Sequence, residues 1–232
     1  MEDTETSKKT DKQNLLILVL LTILGLAGLL GYLKYQDSVF PSASINFKLK
    51  KNEILDLAAS WKEKMKVPEE YPIKSCTFSL DNGGKNFLDF KMGTKEANRI
   101  MREEAPIFYW EVRYDREKQD ENTVVQLSPD GKLVAFEFYV SKDRQIPNIG
   151  HEEAKQRSLD FFCEQLGCKK EDVSVIGDTT TPQSNRIDHN FTFERKETTD
   201  RSWHGATVRA AVSYSGNLMT EFNSYLHLPE SW

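Results

Sequence analysis

Phe108 to Val140 reads FYWEVRYDREKQDENTVVQLSPDGKLVAFEFYV. Phe108, Trp110, Val112 and Tyr114 share one side of an extended segment and alternate with Tyr109, Glu111 and Arg113. A charged loop, Asp115 to Asn122, leads into Thr123-Val124-Val125-Gln126-Leu127. Ser128-Pro129-Asp130-Gly131-Lys132 has the composition of a hairpin turn. The return segment puts Val134, Phe136, Phe138 and Val140 on one side and Ala135, Glu137 and Tyr139 on the other. Alternation with period two around such a turn predicts a three-stranded antiparallel meander with one apolar face.

That apolar face needs a cover, and the sequence on either side supplies helices. Upstream, Asn52-Glu53 opens a helix whose Ile54, Leu57, Ala58, Trp61 and Met65 recur on one face, and Val67-Pro68 ends it. Ser75 to Leu80 alternates as a strand, closed by a turn at Asp81-Asn82-Gly83-Gly84. Lys85 to Phe90 fits either the return strand of a hairpin or a short helix. Thr94 then caps a second helix with Ala97, Ile100 and Met101 on one side, stopped by Pro106.

After a linker, Ser141 to Gly150, the pattern starts again. His151 to Leu166 reads as a helix, with Leu159, Phe162, Cys163 and Leu166 in register. Val173 to Ile176 is a short strand and Thr179 to Asn185 a polar turn. Phe191 and Phe193 alternate with Thr192 and Glu194. Thr207 to Ser213 is a strand, Tyr214 to Asn217 a turn, and Met219 to Leu228 the return. The order of elements implies an internal duplication, residues 46–143 and 144–232, with an insertion at 85–105 in the first copy. Asp130-Gly131-Lys132-Leu133 aligns with Ser215-Gly216-Asn217-Leu218, and Trp110 and Val112 with Phe191 and Phe193. The expected class is α+β, with each copy laying a helix across a curled antiparallel sheet.

Leu15 to Leu33 carries no charge, and its only hydroxyls are those of Thr22 and, at its end, Tyr32. As a helix at ~1.5 Å per residue it spans ~28 Å, close to the ~30 Å hydrocarbon core of a bilayer. No small-x-small cleavage site lies close behind it, so the segment reads as an uncleaved anchor, residues 15–35, rather than a signal peptide. Lys8, Lys9 and Lys12 precede it and Lys34 comes after. That asymmetry keeps the tail, residues 1–14, in the cytoplasm and exports the rest through a linker at 36–45. Tyr32 and Tyr35 fall at the outer interface. The expected location is a bacterial cytoplasmic membrane, single-pass.

The first 35 residues hold four lysines against four acidic groups, so the net charge of −5 belongs to residues 36–232. A mildly acidic domain does not, as a whole, suit nucleic acid or an anionic lipid surface. Three cysteines, Cys76, Cys163 and Cys168, are not a disulfide framework. Cys163 and Cys168 are close enough in sequence to pair if the chain turns after the helix. The sequence offers no zinc-type Cys/His spacing, no GxSxG, no P-loop and no GxGxxG. No catalytic residue, metal or cofactor is expected.

The architecture resembles the PepSY type of exported α+β repeat. A fuller resemblance is to the extracytoplasmic N-terminal region of some bacterial CPBP-type intramembrane proteases. It rests on the single N-terminal span, on Phe40-Pro41-Ser42-Ala43-Ser44-Ile45, on Asn185-Arg186-Ile187-Asp188-His189-Asn190-Phe191-Thr192-Phe193-Glu194-Arg195, and on Tyr225-Leu226-His227-Leu228-Pro229-Glu230-Ser231-Trp232. The resemblance implies a domain that precedes a multi-helix protease core. The membrane helices that carry that family's Glu-Glu-x-x-x-Arg and His motifs are not in this sequence.

Glu152-Glu153-Ala154-Lys155-Gln156-Arg157 matches Glu-Glu-x-x-x-Arg literally. Here it opens a polar helix, where two acids complement the helix dipole and Glu153 pairs with Arg157. The match is read as coincidence. Asn185, Arg186, Asp188 and His189 are read as a structural cluster fixing a loop, and Tyr109 and Tyr139 as candidate groove aromatics. The expected function is a non-catalytic anchored domain that binds protein or peptide and assists a membrane protease. One alternative makes it the N-terminal part of such a protease, with catalysis beyond Trp232. Another makes it an envelope ligand or stress sensor. The bilayer, through residues 15–33, is the other expected partner.

Overall fold

The computed structural model describes residues 2–40, 45–67, 71–115, 122–196 and 203–232. Helix α1 (Glu2–Val39) precedes α2 (Lys51–Lys64), β1 (Ile73–Leu80), α3 (Asn82–Met92), α4 (Thr94–Glu103), β2 (Phe108–Asp115), β3 (Asn122–Leu127) and β4 (Leu133–Phe138). Then come α5 (His151–Leu166), β5 (Val173–Pro182), β6 (Ile187–Arg195), β7 (Thr207–Ser215) and β8 (Leu218–His227). The class is α+β: one apolar N-terminal helix and one eight-stranded sheet, order β1-β2-β3-β4-β8-β7-β6-β5, antiparallel at every pairing.

Within α1, Asn14–Gln36 is long and apolar enough to cross a membrane, and it is wholly unburied by the rest of the protein. The Thr22 hydroxyl is satisfied inside the helix by the Leu18 carbonyl at 2.8 Å, as a polar group in an apolar surround must be. The helix runs on to Val39, so the first four residues of the linker expected at 36–45 are helical. The rest of that linker, 41–44, and most of the loop after Asp115, 116–121, lie outside the described residues.

The alternation read from the sequence sets the sheet. Val112, Val125, Phe136, Phe193, Val212 and Phe222 are fully buried on one face. Ile54 and Ala58 of α2 and Ala154, Phe161 and Phe162 of α5 pack against that same face. Trp61 meets Phe161 edge-on, with ring centroids 6.2 Å apart, and Phe161 meets Phe222 at 5.1 Å. The two helices therefore share one core. The seam is the short pairing of β4 with β8, Phe136 opposite Phe222, backed by a buried bond from the Ser224 hydroxyl to the Val134 carbonyl at 2.8 Å.

Three sequence expectations change, and one alternative left open is settled. The segment at Asp81-Asn82-Gly83-Gly84 is not a hairpin turn but the start of a helix: Asp81 is the N-cap of α3, accepting from the Gly84 amide at 3.1 Å. The same Asx chemistry serves turns and caps, and Phe87 and Leu88 tip the balance by burying fully beside Ile100. Lys85 to Phe90 is accordingly helix rather than strand. Gly93, not Thr94, caps α4. Thr179 to Pro182 is strand rather than turn, because β5 bulges between Val175 and Gly177 and then stays paired with β6 to its end. Each meander gains a strand in consequence: β1 joins β2–β4, and β5 joins β6–β8.

Candidate functional site

The end strand β5 is the barest part of the sheet. It pairs with β6 alone in the strand order, and Val175 and Ile176 stay 42% and 44% exposed. Its position is held by the first turn of α5. Lys155 reaches Asp178 at 2.8 Å, and His151 Nε2 lies 3.3 Å from the same carboxylate. The hydrogen bond from Lys155 first, with His151 also beside it, holds that carboxyl below its usual range.

Thr180 sits between two histidines, its hydroxyl 3.1 Å from His151 Nδ1 and 3.1 Å from His189 Nδ1. His189 Nε2 faces the Ile149 carbonyl at 3.3 Å, so that nitrogen carries the hydrogen and Nδ1 accepts from Thr180. The Thr180 oxygen then accepts from His151. Asp178, His151 and Thr180 have the connectivity of orienter, base and nucleophile. The hydroxyl is engaged on both sides, however, and its proton points at His189. The chain works as a clasp from helix to strand.

The expected loop cluster surrounds this clasp. Arg186 is 6% exposed, and its Nε donates to Asp188 at 2.8 Å. Its Nη1 donates to the carbonyls of Ser141 at 2.9 Å and Arg144 at 3.1 Å. Asn185 donates to the Asp143 carbonyl, and Asn148 accepts from the Ile187 amide. Asn185 and Arg186 together thus seize residues 141–144 of the connection between the halves, while Asp188 fixes the guanidinium and His189 enters the clasp.

A cleft of ≈ 400 Å³ opens where the halves meet, among Arg102, Asp130, Lys132, Gln165, Leu166 and Arg195. A second hollow of ≈ 470 Å³, lined by Trp61, Lys64 and Glu164, shares Lys132, Leu133, Gln165 and Leu166 with it. Burial works to raise the Asp130 carboxyl. The Ser128 hydroxyl at 2.6 Å and the charges of Lys132 and Lys48 outweigh it and hold the group low.

Tyr109 and Tyr139 share the face of the sheet away from α2 and α5 but do not meet. Tyr109 lies next to the Trp110–Leu127 pair, whereas Tyr139 bonds to Asn122 at the other end of β3. At ~3.3 Å per residue the two ends are roughly 20 Å apart. Between them that face carries Glu111, Glu137 and Glu221. Glu137 is itself exposed, but desolvation by the sheet around it, then the charges of Glu221 and Glu111, push its carboxyl up.

Glu152, Glu153 and Arg157 are exposed on α5, and Glu153 pairs with Arg157 one turn on. All three cysteines are free thiols. Burial, then the neighbouring Cys163, push the Cys168 thiol upward, the opposite of an activated nucleophile. Among the described residues no group of three His, Cys, Asp or Glu is placed to hold a metal ion.

Sequence reasoning missed Asp178, Thr180 and the meeting of His151 with His189, whose rings lie 5.6 Å apart. Their only signal was register: once β5 is extended past Thr179, Thr180 falls opposite His189. No family model, curated protein or solved structure matches the chain.

Proposed function

We propose that this protein is a membrane-anchored, exported, non-catalytic domain that holds an extended segment of a protein or peptide along β5. The bare ten-residue edge of β5 is the observation that carries this reading. An uncovered edge offers a row of backbone donors and acceptors, and adding a strand to it gives affinity without a deep pocket. The clasp of His151, Lys155, Asp178 and Thr180 supports it by fixing the strand against α5. At the opposite end of the sheet, Phe47 packs on the face of β1 through Phe78 at 4.9 Å.

In this reading α1 spans a bacterial cytoplasmic membrane with the short tail inside, as Lys8, Lys9 and Lys12 direct. The two halves are PepSY-like copies of one unit. Gly131 and Gly216, at the last turn of each half, support this: Gly131 presses on Leu49 ahead of α2, and Gly216 on Ile146 and Pro147 ahead of α5. The resemblance to the region preceding the CPBP-type protease core supplies the class of partner, a membrane protease that the domain assists.

The test uses the full chain in lipid nanodiscs against an array of extended peptides. Binding should slow hydrogen exchange at alternate amides between Val173 and Pro182. Protection centred on the cleft at Lys132 and Arg195, or no binder in the array, would overturn the edge as the site.

A further inference from the structure

We propose that the corner between α3 and α4, together with Trp232, is a second membrane contact that docks on the phospholipid interface beside α1. The proposal rests on the reading of α1 as a span. Phe90 is 74% exposed and Trp232 51% exposed. Both are too large and apolar to leave in water without a reason when they adjoin each other. Their rings lie 5.6 Å apart, and Trp232 also packs edge-on against the buried Phe87 at 5.2 Å. Lys91 stands over both rings, 5.4 Å from Phe90 and 5.8 Å from Trp232. Aromatic rings with an ammonium on a flexible stem suit the headgroup layer: the rings lie at its apolar boundary and the lysine reaches phosphate.

The occupant is set by where α1 leaves the bilayer. The uncharged stretch ends at Leu33 and the candidate span at Gln36, and the Phe40 carbonyl accepts from Asn98 Nδ2 of α4 at 2.9 Å. Four to seven residues advance ~6–10 Å as a helix, so α4 lies within two helical turns of the membrane exit. Asn98 is in turn five residues from Gly93, the corner that carries Phe90 and Lys91, or ~7.5 Å along the helix. Tyr35 and Phe40 are exposed at the end of α1, and the Phe40 ring lies 5.9 Å from that of Tyr32. The bilayer already holding α1 is therefore the apolar surface nearest to Phe90 and Trp232.

The experiment reconstitutes the full chain in phosphatidylcholine–phosphatidylglycerol vesicles containing lipids brominated either near the headgroup or near the chain ends. The emission of Trp232 is the difference between the native chain and Trp232→Phe. Headgroup-proximal bromines should remove most of it, and chain-end bromines little. Leu24→Trp in the Trp232→Phe background reports on the span, with the opposite preference expected. Phe90→Ser changes an exposed side chain and should reduce the quenching of Trp232 while leaving thermal unfolding unchanged. If Leu24→Trp is quenched but Trp232 instead answers to aqueous acrylamide, the docking surface is overturned alone. Shielding of Trp232 from both quenchers overturns it in favour of a protein cover, a second copy or a partner. Lack of bromine quenching at Leu24→Trp removes the span and the docking surface together.

Discussion

The two halves of the sheet share the same order and end in different edges. Each lays one helix, α2 or α5, across four antiparallel strands. The first half breaks that order after β1 with α3 and α4. Their Phe87, Leu88 and Ile100 build a second core with Phe108, Val208 and Leu226 at one end of the sheet, and Asn98 ties them to the end of α1. The second half passes from β5 to β6 through residues 183–186 alone, and its edge stays bare. The position of one insertion therefore decides which half meets the end of α1.

The strongest way to break this comparison is at the seam. If the halves were independent domains, damage at β8 would melt one and spare the other. Phe222 is fully buried, pairs with Phe136 across the seam and packs on Phe161. Phe222→Ala should cost about 3–5 kcal/mol through the cavity it leaves. Residue-resolved exchange should show β2–β3 and β6–β7 losing protection together. Two separate transitions would show that the shared core does not couple the halves.

Arg186→Ala comes next, at about 2–4 kcal/mol, because it strands a carboxylate and two carbonyls that lose their donor. The effect should be lopsided. Exchange in residues 141–150 should quicken, while residues 45–50 should not respond, since they are held by other contacts: Leu49 on Gly131, and the Lys48 amide on the Pro129 carbonyl at 3.2 Å. Arg186→Lys should rescue little, because an ammonium cannot serve Asp188, Ser141 and Arg144 in the planar geometry of the guanidinium. Equal loosening of both connections would show that Arg186 supports the sheet as a whole.

Most strands and both covering helices were legible because period-two and period-3.6 apolar patterns depend only on which face is buried, and the N-terminal helix by its unbroken apolar length. His151 to Leu166 came out with its observed limits for that reason. The far half of β5 was not legible. Thr179-Thr180-Thr181-Pro182 has no apolar alternation, since an exposed edge has no face to bury, and its strand character comes from pairing with Ile187 to Asn190. The clasp was hidden with it, whereas Asn185, Arg186, Asp188 and His189 were singled out by their place in the segment Asn185 to Arg195 that carries the resemblance. At 81–84 local chemistry was ambiguous, and tertiary burial of Phe87 made the choice.

The finest test compares the two turn glycines, and it sets two physical effects against each other. Gly131 has φ +89 and Gly216 φ +57, so backbone strain alone makes alanine worse at Gly131, further from the left-handed helical well. The surroundings argue the other way. A Cβ on Gly131 would come within 2.7 Å of Leu49 Cδ1, the movable tip of a flexible side chain. A Cβ on Gly216 would come within 2.6 Å of the Pro147 carbonyl oxygen, which already accepts from the Asn217 amide at 2.7 Å. Moving that oxygen disturbs the hydrogen bond and shifts Pro147, only four residues ahead of α5. Gly216→Ala should therefore cost about 2–3 kcal/mol and Gly131→Ala about 1–2 kcal/mol, with strain common to both and the backbone clash peculiar to Gly216. Paired urea melts read the difference directly. If Gly131→Ala proves the costlier, backbone strain outweighs packing at these turns. The likeness of the two tips would then be one of turn geometry rather than of a shared contact with the chain ahead of each helix.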